Sequence, residues 1–138
     1  IADIAVAAAS LHGVSFGAEI MPRLIDEIPV LAVAALFAEG DTVITGAGEL
    51  RVKETDRLRA IAAEFQKLAP DSIEEREDGL VIHGNAKIER AQVSSWGDHR
   101  MAMSLAVLGA AAEGVLLENP DSVNISYPTF FSELDRLS

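Results

Sequence analysis

Cysteine is absent from the 138 residues, so neither a disulfide framework nor a thiolate metal site is available. Aromatic residues are scarce, at 5%, and a core of any size has to be assembled from Ala, Val, Ile and Leu. Basic residues are outnumbered by acidic ones, 11 against 22, for a formal charge of −11. That balance argues against a nucleic-acid partner, whose phosphates require a net basic surface. It does not exclude a small anionic ligand, which responds to the local field of a few side chains in a cleft. No apolar run approaches the ~20 residues of a membrane-spanning helix. The most apolar stretch, residues 28–38, is broken by Pro29 and followed by Glu39, and no membrane association is expected. The N-terminus carries no secretory signal pattern, so a cytoplasmic setting is the expectation. The first residue is Ile1 rather than Met, and the chain is read as processed or as a fragment.

What is present is an ordinary globular composition, 49% hydrophobic and 24% charged. Strand-like runs alternate with helical stripes, without a linker or low-complexity segment, so a single domain over residues 1–138 is expected. Residues 3–8 alternate apolar with polar or small residues and predict a strand. Pro29 suits the first turn of a helix running to about Ala38, with Gly40 as its stop. Residues 42–45 are β-branched and predict a strand. Leu58, Ile61, Phe65 and Leu68 mark one face of an amphipathic helix that ends before Pro70. Residues 72–75 and 80–83, on either side of Asp78-Gly79, predict a hairpin. A strand over 93–95, a helix over 101–112, a strand over 115–117 and a last helix opened by Pro128 complete the expectation.

An internal repeat organises these elements. LAVAALFAEG at 31–40 is matched by LAVLGAAAEG at 105–114, 74 positions later. Two Ala-rich helices can resemble each other by chance. Here, however, each copy is followed by the same order of strand, loop and helix. The unit is β-α-β-α-β-β, with the second copy cut short.

Charged residues gather at the predicted helix starts. Arg51, Lys53 and Arg57 load the beginning of the Leu58 helix, where the helix dipole favours anions. Lys53 and Arg57 are four apart, a spacing that puts both on one helical face, and backbone donors there would complete an anion cradle. From charge pattern alone, a turn in which Glu54 and Asp56 neutralise these bases locally is the better account. Asp98 is an N-cap candidate followed by His99 and Arg100, and Asp26 precedes the first apolar helix as another cap candidate. The repeat joins these points, because Asp26 and Arg100 are 74 positions apart and occupy equivalent places in the two copies. If the repeats pack about a common axis, their helix starts converge on one anion-binding hollow.

RVKETDR at 51–57 and DHRMAM at 98–103, with Asp26 in LIDEIP at 24–29, make the chain resemble the C-terminal part of EPSP synthases. The resemblance runs through essentially all 138 residues. It is closer than the likeness to the sister enzyme acting on UDP-N-acetylglucosamine, which lacks these strings. It implies an α/β (α+β) fold of about two βαβαββ repeats, from one lobe of the enolpyruvyl transferase inside-out α/β barrel. The N-terminal lobe, which supplies a Lys-Ser pair and most contacts to the shikimate phosphate, would be missing. The implied activity is transfer of the carboxyvinyl group of phosphoenolpyruvate to the 5-hydroxyl of shikimate 3-phosphate, with release of phosphate. By position, Asp26 would be the base near the attacking hydroxyl, with Lys53 beside it. Glu54 would deliver and later remove the proton at C3. Arg57, His99 and Arg100 would hold the carboxylate and phosphate of phosphoenolpyruvate, as planar guanidinium groups are suited to do. No metal or organic cofactor is implied.

Two positions depart from the family pattern: Ile125 stands where many members have Lys, and Glu49 where some have Asn. Inhibitor sensitivity is left open by both. Without the opposite lobe and the remaining unit, the isolated chain is expected to be catalytically silent. It is also expected to self-associate through an uncovered apolar face. The competing accounts are a non-catalytic module that captures small phosphorylated metabolites and an oligomerising structural domain.

Overall fold

The computed structural model describes residues 11–112, 114–118 and 129–137. The strand expected over 3–8, Pro128 and Ile125 lie outside the described residues. The first elements are a two-residue strand, Ser15–Phe16 (β1), a one-turn helix, Met21–Leu24 (α1), and a 3-10 turn, Ile25–Glu27. The turn runs directly into the helix Ile28–Phe37 (α2), with Pro29 in its first turn, where a missing N–H is tolerated. The helix ends where Ala38 turns extended, and Gly40, at φ 83°, redirects the chain into the strand Asp41–Ile44 (β2). A second 3-10 turn, Gly48–Val52, leads to the helix Arg57–Leu68 (α3) and then to the hairpin strands Ile73–Glu75 (β3) and Leu80–His83 (β4). The second copy supplies strand Ala91–Ser94 (β5), helix His99–Ala111 (α4), strand Val115–Glu118 (β6) and helix Phe130–Leu137 (α5).

Among the described residues, each copy builds one sheet. The first is ordered β1-β2-β4-β3, parallel between β1 and β2 and antiparallel in the other pairs; the second is the parallel pair β5-β6. This is the mixed α/β architecture expected from the alternating pattern. The 74-residue offset is kept by the strands β2 and β6, and by residues 25–37 against helix α4. It breaks upstream. Ser15 pairs with Val43, 28 positions on, whereas Val93 pairs with Leu117, 24 on, so the first copy has four more residues between strand and helix. The additional stretch accommodates α1, which the sequence did not reveal.

The equivalent helices α2 and α4 pack against each other, and α3 lies against β3, β5 and the Gly48–Val52 turn. The stripe read on α3 is the core itself: Leu58, Ile61, Phe65 and Leu68 are all fully buried. Burying each such side chain is worth roughly 1.5–3 kcal/mol. They share a single cluster with Ile28 and Leu36 of α2 and with Met101 and Leu105 of α4. Helices from both copies are thereby fixed relative to one another, and with them the helix starts that carry the charged residues.

Candidate active site

Local chemistry first divides the RVKETDR stretch in two. Asp56 is the N-cap of α3, accepting from the Arg59 amide at 3.0 Å. Arg51 does not stand free at the helix start. It donates to Asp56 Oδ2 at 3.0 Å, to Glu75 Oε2 at 2.9 Å, and to the carbonyls of Arg76 and Glu77 at 2.7 and 2.8 Å. This arginine braces the β3–β4 hairpin against the motif; of its bonds, only that to Asp56 is the local neutralisation anticipated from charge pattern. Lys53 is not helical. It follows the 3-10 turn in an extended conformation, and α3 begins only at Arg57. The four-residue spacing therefore does not set Lys53 and Arg57 on one helical face. They nevertheless meet, because both reach the same oxygen: Asp26 Oδ1 lies 3.9 Å from Lys53 Nζ and 3.1 Å from Arg57 Nη1.

Arg57 is the hub. Its side chain is only 1% exposed, and its guanidinium is wrapped by carboxylates from three segments. Nε donates to Asp98 Oδ2 at 2.8 Å and Nη2 to Asp98 Oδ1 at 3.3 Å, Nη1 donates to Asp26, and Nη2 also donates to Glu54. Burial works to lower its pKa, but pairing with Asp98, Glu54 and Asp26 outweighs that and holds it above the ordinary arginine value. A buried guanidinium is stable only when paired in this way. Asp98 is itself fully buried and is the N-cap of α4, accepting from the amides of Arg100 at 2.8 Å and Met101 at 3.4 Å.

Three helix starts thus meet at one guanidinium: the turn before α2 through Asp26, α3 through Arg57, and α4 through Asp98. Asp26 is no cap; the residue before α2, Glu27, makes no side-chain capping bond, and the Asp26 carboxylate is spent on Arg57 and Lys53. Asp26 and Glu54 are half-exposed, at 48% and 50%, so both carboxylates are accessible from solvent. Among the cations, Lys53 and Arg100 are more accessible than Arg57, and their pairings are longer: Lys53 to Glu49 at 3.5 Å and Arg100 to Glu27 at 3.4 Å. An anion reaching Arg57 has to displace Glu54 or Asp26. His99 is the first residue of α4 and half-buried. Among the described residues, every buried side-chain polar atom has a hydrogen-bond partner, and no group of three or more His, Asp or Glu suits a metal ion.

Of the residues singled out from sequence, Lys53 and Arg57 both pair with Asp26, and Arg57 also pairs with Glu54, so the four are linked. Arg100 joins them through Asp98, which caps its amide, and through Glu27, the neighbour of Asp26. Sequence reasoning took Asp98 for a cap alone and missed its pairing with Arg57, 41 residues away. The one available signal was the pair of helix starts related by the repeat.

The family model described as EPSP synthase (3-phosphoshikimate 1-carboxyvinyltransferase) matches residues 2–134. A curated 3-phosphoshikimate 1-carboxyvinyltransferase of Bacillus cereus (strain G9842) is 49% identical over 138 residues, covering 99% of this chain and 32% of the relative. Among solved structures, an EPSP synthase from Acinetobacter baumannii superposes with a TM-score of 0.83 at 36% identity, over 92% of this chain and 30% of that one. The enolpyruvyl transferase NikO from Streptomyces tendae gives a TM-score of 0.65 at 28% identity, over 93% of this chain and 28% of its own. The chain spans about a third of the length of the curated relatives it matches.

Proposed function

This chain belongs to the EPSP synthase family, and from that membership we propose that it forms one wall of the active site of an enzyme transferring the carboxyvinyl group of phosphoenolpyruvate to shikimate 3-phosphate. The observation that carries the proposal is the meeting of Asp26, Lys53 and Glu54 around Arg57. It places accessible carboxylates beside cations, as a proton-transferring reaction on anionic substrates requires.

In this proposal Asp26 takes the proton of the attacking hydroxyl as the oxygen bonds to C2 of phosphoenolpyruvate. Lys53, on the same Asp26 oxygen, faces the developing negative charge. Glu54 gives a proton to C3 and removes one when the tetrahedral intermediate loses phosphate. Proton transfer by such a positioned group is worth typically 10²–10⁴-fold. Arg57 orients Asp26 and Glu54 before substrate arrives, and with His99 and Arg100 it takes the carboxylate and phosphate of phosphoenolpyruvate once substrate displaces one of the two from it. The remaining two-thirds or so of the polypeptide, judged from the relatives, would supply the opposing lobe and most contacts to shikimate 3-phosphate. A cytoplasmic enzyme of aromatic amino acid biosynthesis is part of the same proposal.

The chain alone is expected to be silent and to self-associate. A groove of about 470 Å³ between α4, β6 and α5, lined by Leu105, Val115, Leu117, Phe131 and Leu134, supports the second expectation. It contains none of the site residues. The test is to join the chain to the preceding part of its polypeptide and assay phosphate release from phosphoenolpyruvate plus shikimate 3-phosphate. Turnover should appear in the joined protein and collapse in Glu54→Ala. Turnover by the 138-residue chain alone, or full activity in Glu54→Ala, contradicts the proposal.

A further inference from the structure

Glu64 is a charged residue that the proposed reaction does not use, yet it is buried at 3% exposure. It lies two turns beyond Arg57 on the same face of α3. Its carboxylate accepts from the indole Nε1 of Trp96 at 2.8 Å, from the Ser94 amide at 2.9 Å and from Lys67 Nζ at 2.9 Å. Burial pushes its pKa up, but the bonds from Trp96, Lys67 and Ser94 prevail and hold the carboxyl below its ordinary value. Both carboxylate oxygens grip the segment that joins β5 to α4. That segment is bent sharply: Trp96 and Gly97 both have positive φ, 58° and 70°, and the Asp98 amide closes a turn on the Ser95 carbonyl at 3.0 Å. A non-Gly residue in the left-handed region keeps that conformation only where its surroundings enforce it. Here the Trp96 amide donates to Ser94 Oγ at 3.1 Å and its indole to Glu64, two residues before the carboxylate that holds Arg57.

We propose that Glu64 is a positioning residue for the site: through Trp96 and Ser94 it fixes the bend that sets Asp98 against Arg57. Helix α3 then holds the connecting segment at two points, Arg57 on Asp98 and Glu64 on Trp96. The orientation of the Arg57 guanidinium depends on both. Its bearing on catalysis rests on the proposed function; its bearing on Arg57 does not.

Trp96→Phe removes the indole N–H and keeps an aromatic ring. The side-chain Nε–H resonance of Arg57 reports the bond to Asp98 directly. In the full chain without substrate, this variant is expected to speed solvent exchange of that proton by about tenfold, the scale for losing a hydrogen bond to a charged acceptor. Helical circular dichroism should stay unchanged. Glu64→Ala should act in the same direction and more strongly; if it fails to fold, Trp96→Phe decides. In the joined enzyme, Trp96→Phe should raise KM for phosphoenolpyruvate several-fold. An unchanged exchange rate at Arg57 overturns the proposal, and faster exchange with an unchanged KM overturns its bearing on catalysis. A silent wild-type enzyme would sink the proposed function instead, and the resonance would still decide whether Glu64 sets Arg57.

Discussion

Arg57 Nε donates to Asp98 Oδ2 at 2.8 Å between two side chains that solvent does not reach, at 1% and 0% exposure. The first residue of one helix is thereby locked to the N-cap of another. Asp98 does two things with one carboxylate: Oδ1 caps the α4 amides and Oδ2 takes Arg57 Nε.

Asp98→Asn separates them. An amide oxygen still caps a helix, but Arg57 is left facing a neutral group with only Asp26 and Glu54 to balance it. Breaking a buried pair by removing one partner costs about 3 kcal/mol or more. The expected result is a loss of that much unfolding free energy, read as a lower urea midpoint, with α4 still formed. An unchanged midpoint would mean that the half-exposed carboxylates suffice.

Two cations from the same heptapeptide should behave oppositely. Arg51 ties Asp56, Glu75 and two hairpin carbonyls together, so Arg51→Ala should cost roughly 1–2 kcal/mol of stability. Lys53 makes two long pairings with half-exposed or exposed carboxylates, and such pairs are worth about 0–1 kcal/mol. Lys53→Ala should leave the melting temperature nearly unchanged while sharply lowering turnover in the joined enzyme. Equal losses of stability in the two variants would contradict this division.

How much of this was legible in the sequence depended on range. The α3 stripe was readable because Leu58, Ile61, Phe65 and Leu68 repeat at helical spacing, and Asp98 because a cap acts within its own helix. The turns Ile25–Glu27 and Gly48–Val52 and the one-turn α1 were not, since elements this short carry no periodicity. The same limit misplaced Lys53 on the helix. The links Arg57–Asp98 and Glu64–Trp96 span 41 and 32 residues and exist only because α3 packs on β5 and its connection to α4. The repeat gave the sole hint that helix starts would meet, and it could not say which side chains would pair.

Stability should respond to pH with opposite signs at two sites. The Glu64 carboxyl is held below its ordinary value of 4.5, so its contribution is complete above that pH and is lost as pH falls through the lower folded value. His83 bridges Asp41 at 2.8 Å and Glu74 at 3.0 Å, and these hydrogen bonds raise it above 6.5. Its contribution is complete below 6.5 and is lost as pH rises through the higher folded value. His83→Gln should therefore flatten the fall in melting temperature on the alkaline side of neutrality and leave the acid limb intact. Trp96→Phe removes a bond that holds the Glu64 carboxyl down, so it should flatten the acid limb and leave the alkaline side intact. The His83 effect should be small, because the ring is 38% exposed. Melting curves taken across the pH range check both signs, and a change on the wrong limb in either variant contradicts the assignment.

Gly79 shows how the hairpin governs the site loop. A Cβ at this position would overlap the Ile44 carbonyl oxygen, a backbone atom that cannot step aside. The same hairpin tip receives the Ala47 amide on the Asp78 carbonyl and the Gly46 amide on Asp78 Oδ2 at 3.0 Å. The chain leaving β2 is thus docked on the hairpin immediately before the turn that ends at Lys53. Gly79→Ala should push the two apart, at a cost of about 1–3 kcal/mol for a forced contact in a packed site. It should also loosen Arg51, whose acceptors include the hairpin carbonyls of Arg76 and Glu77. Gly48 is the control: a Cβ there would meet nothing within 4 Å and its φ is not left-handed, so Gly48→Ala should be neutral or slightly stabilising. Thermal melts of the two variants, with the Lys53 and Arg51 side-chain resonances as local reporters, distinguish a docked loop from one that is merely nearby. Equal melting temperatures would mean that the hairpin does not hold the loop in place.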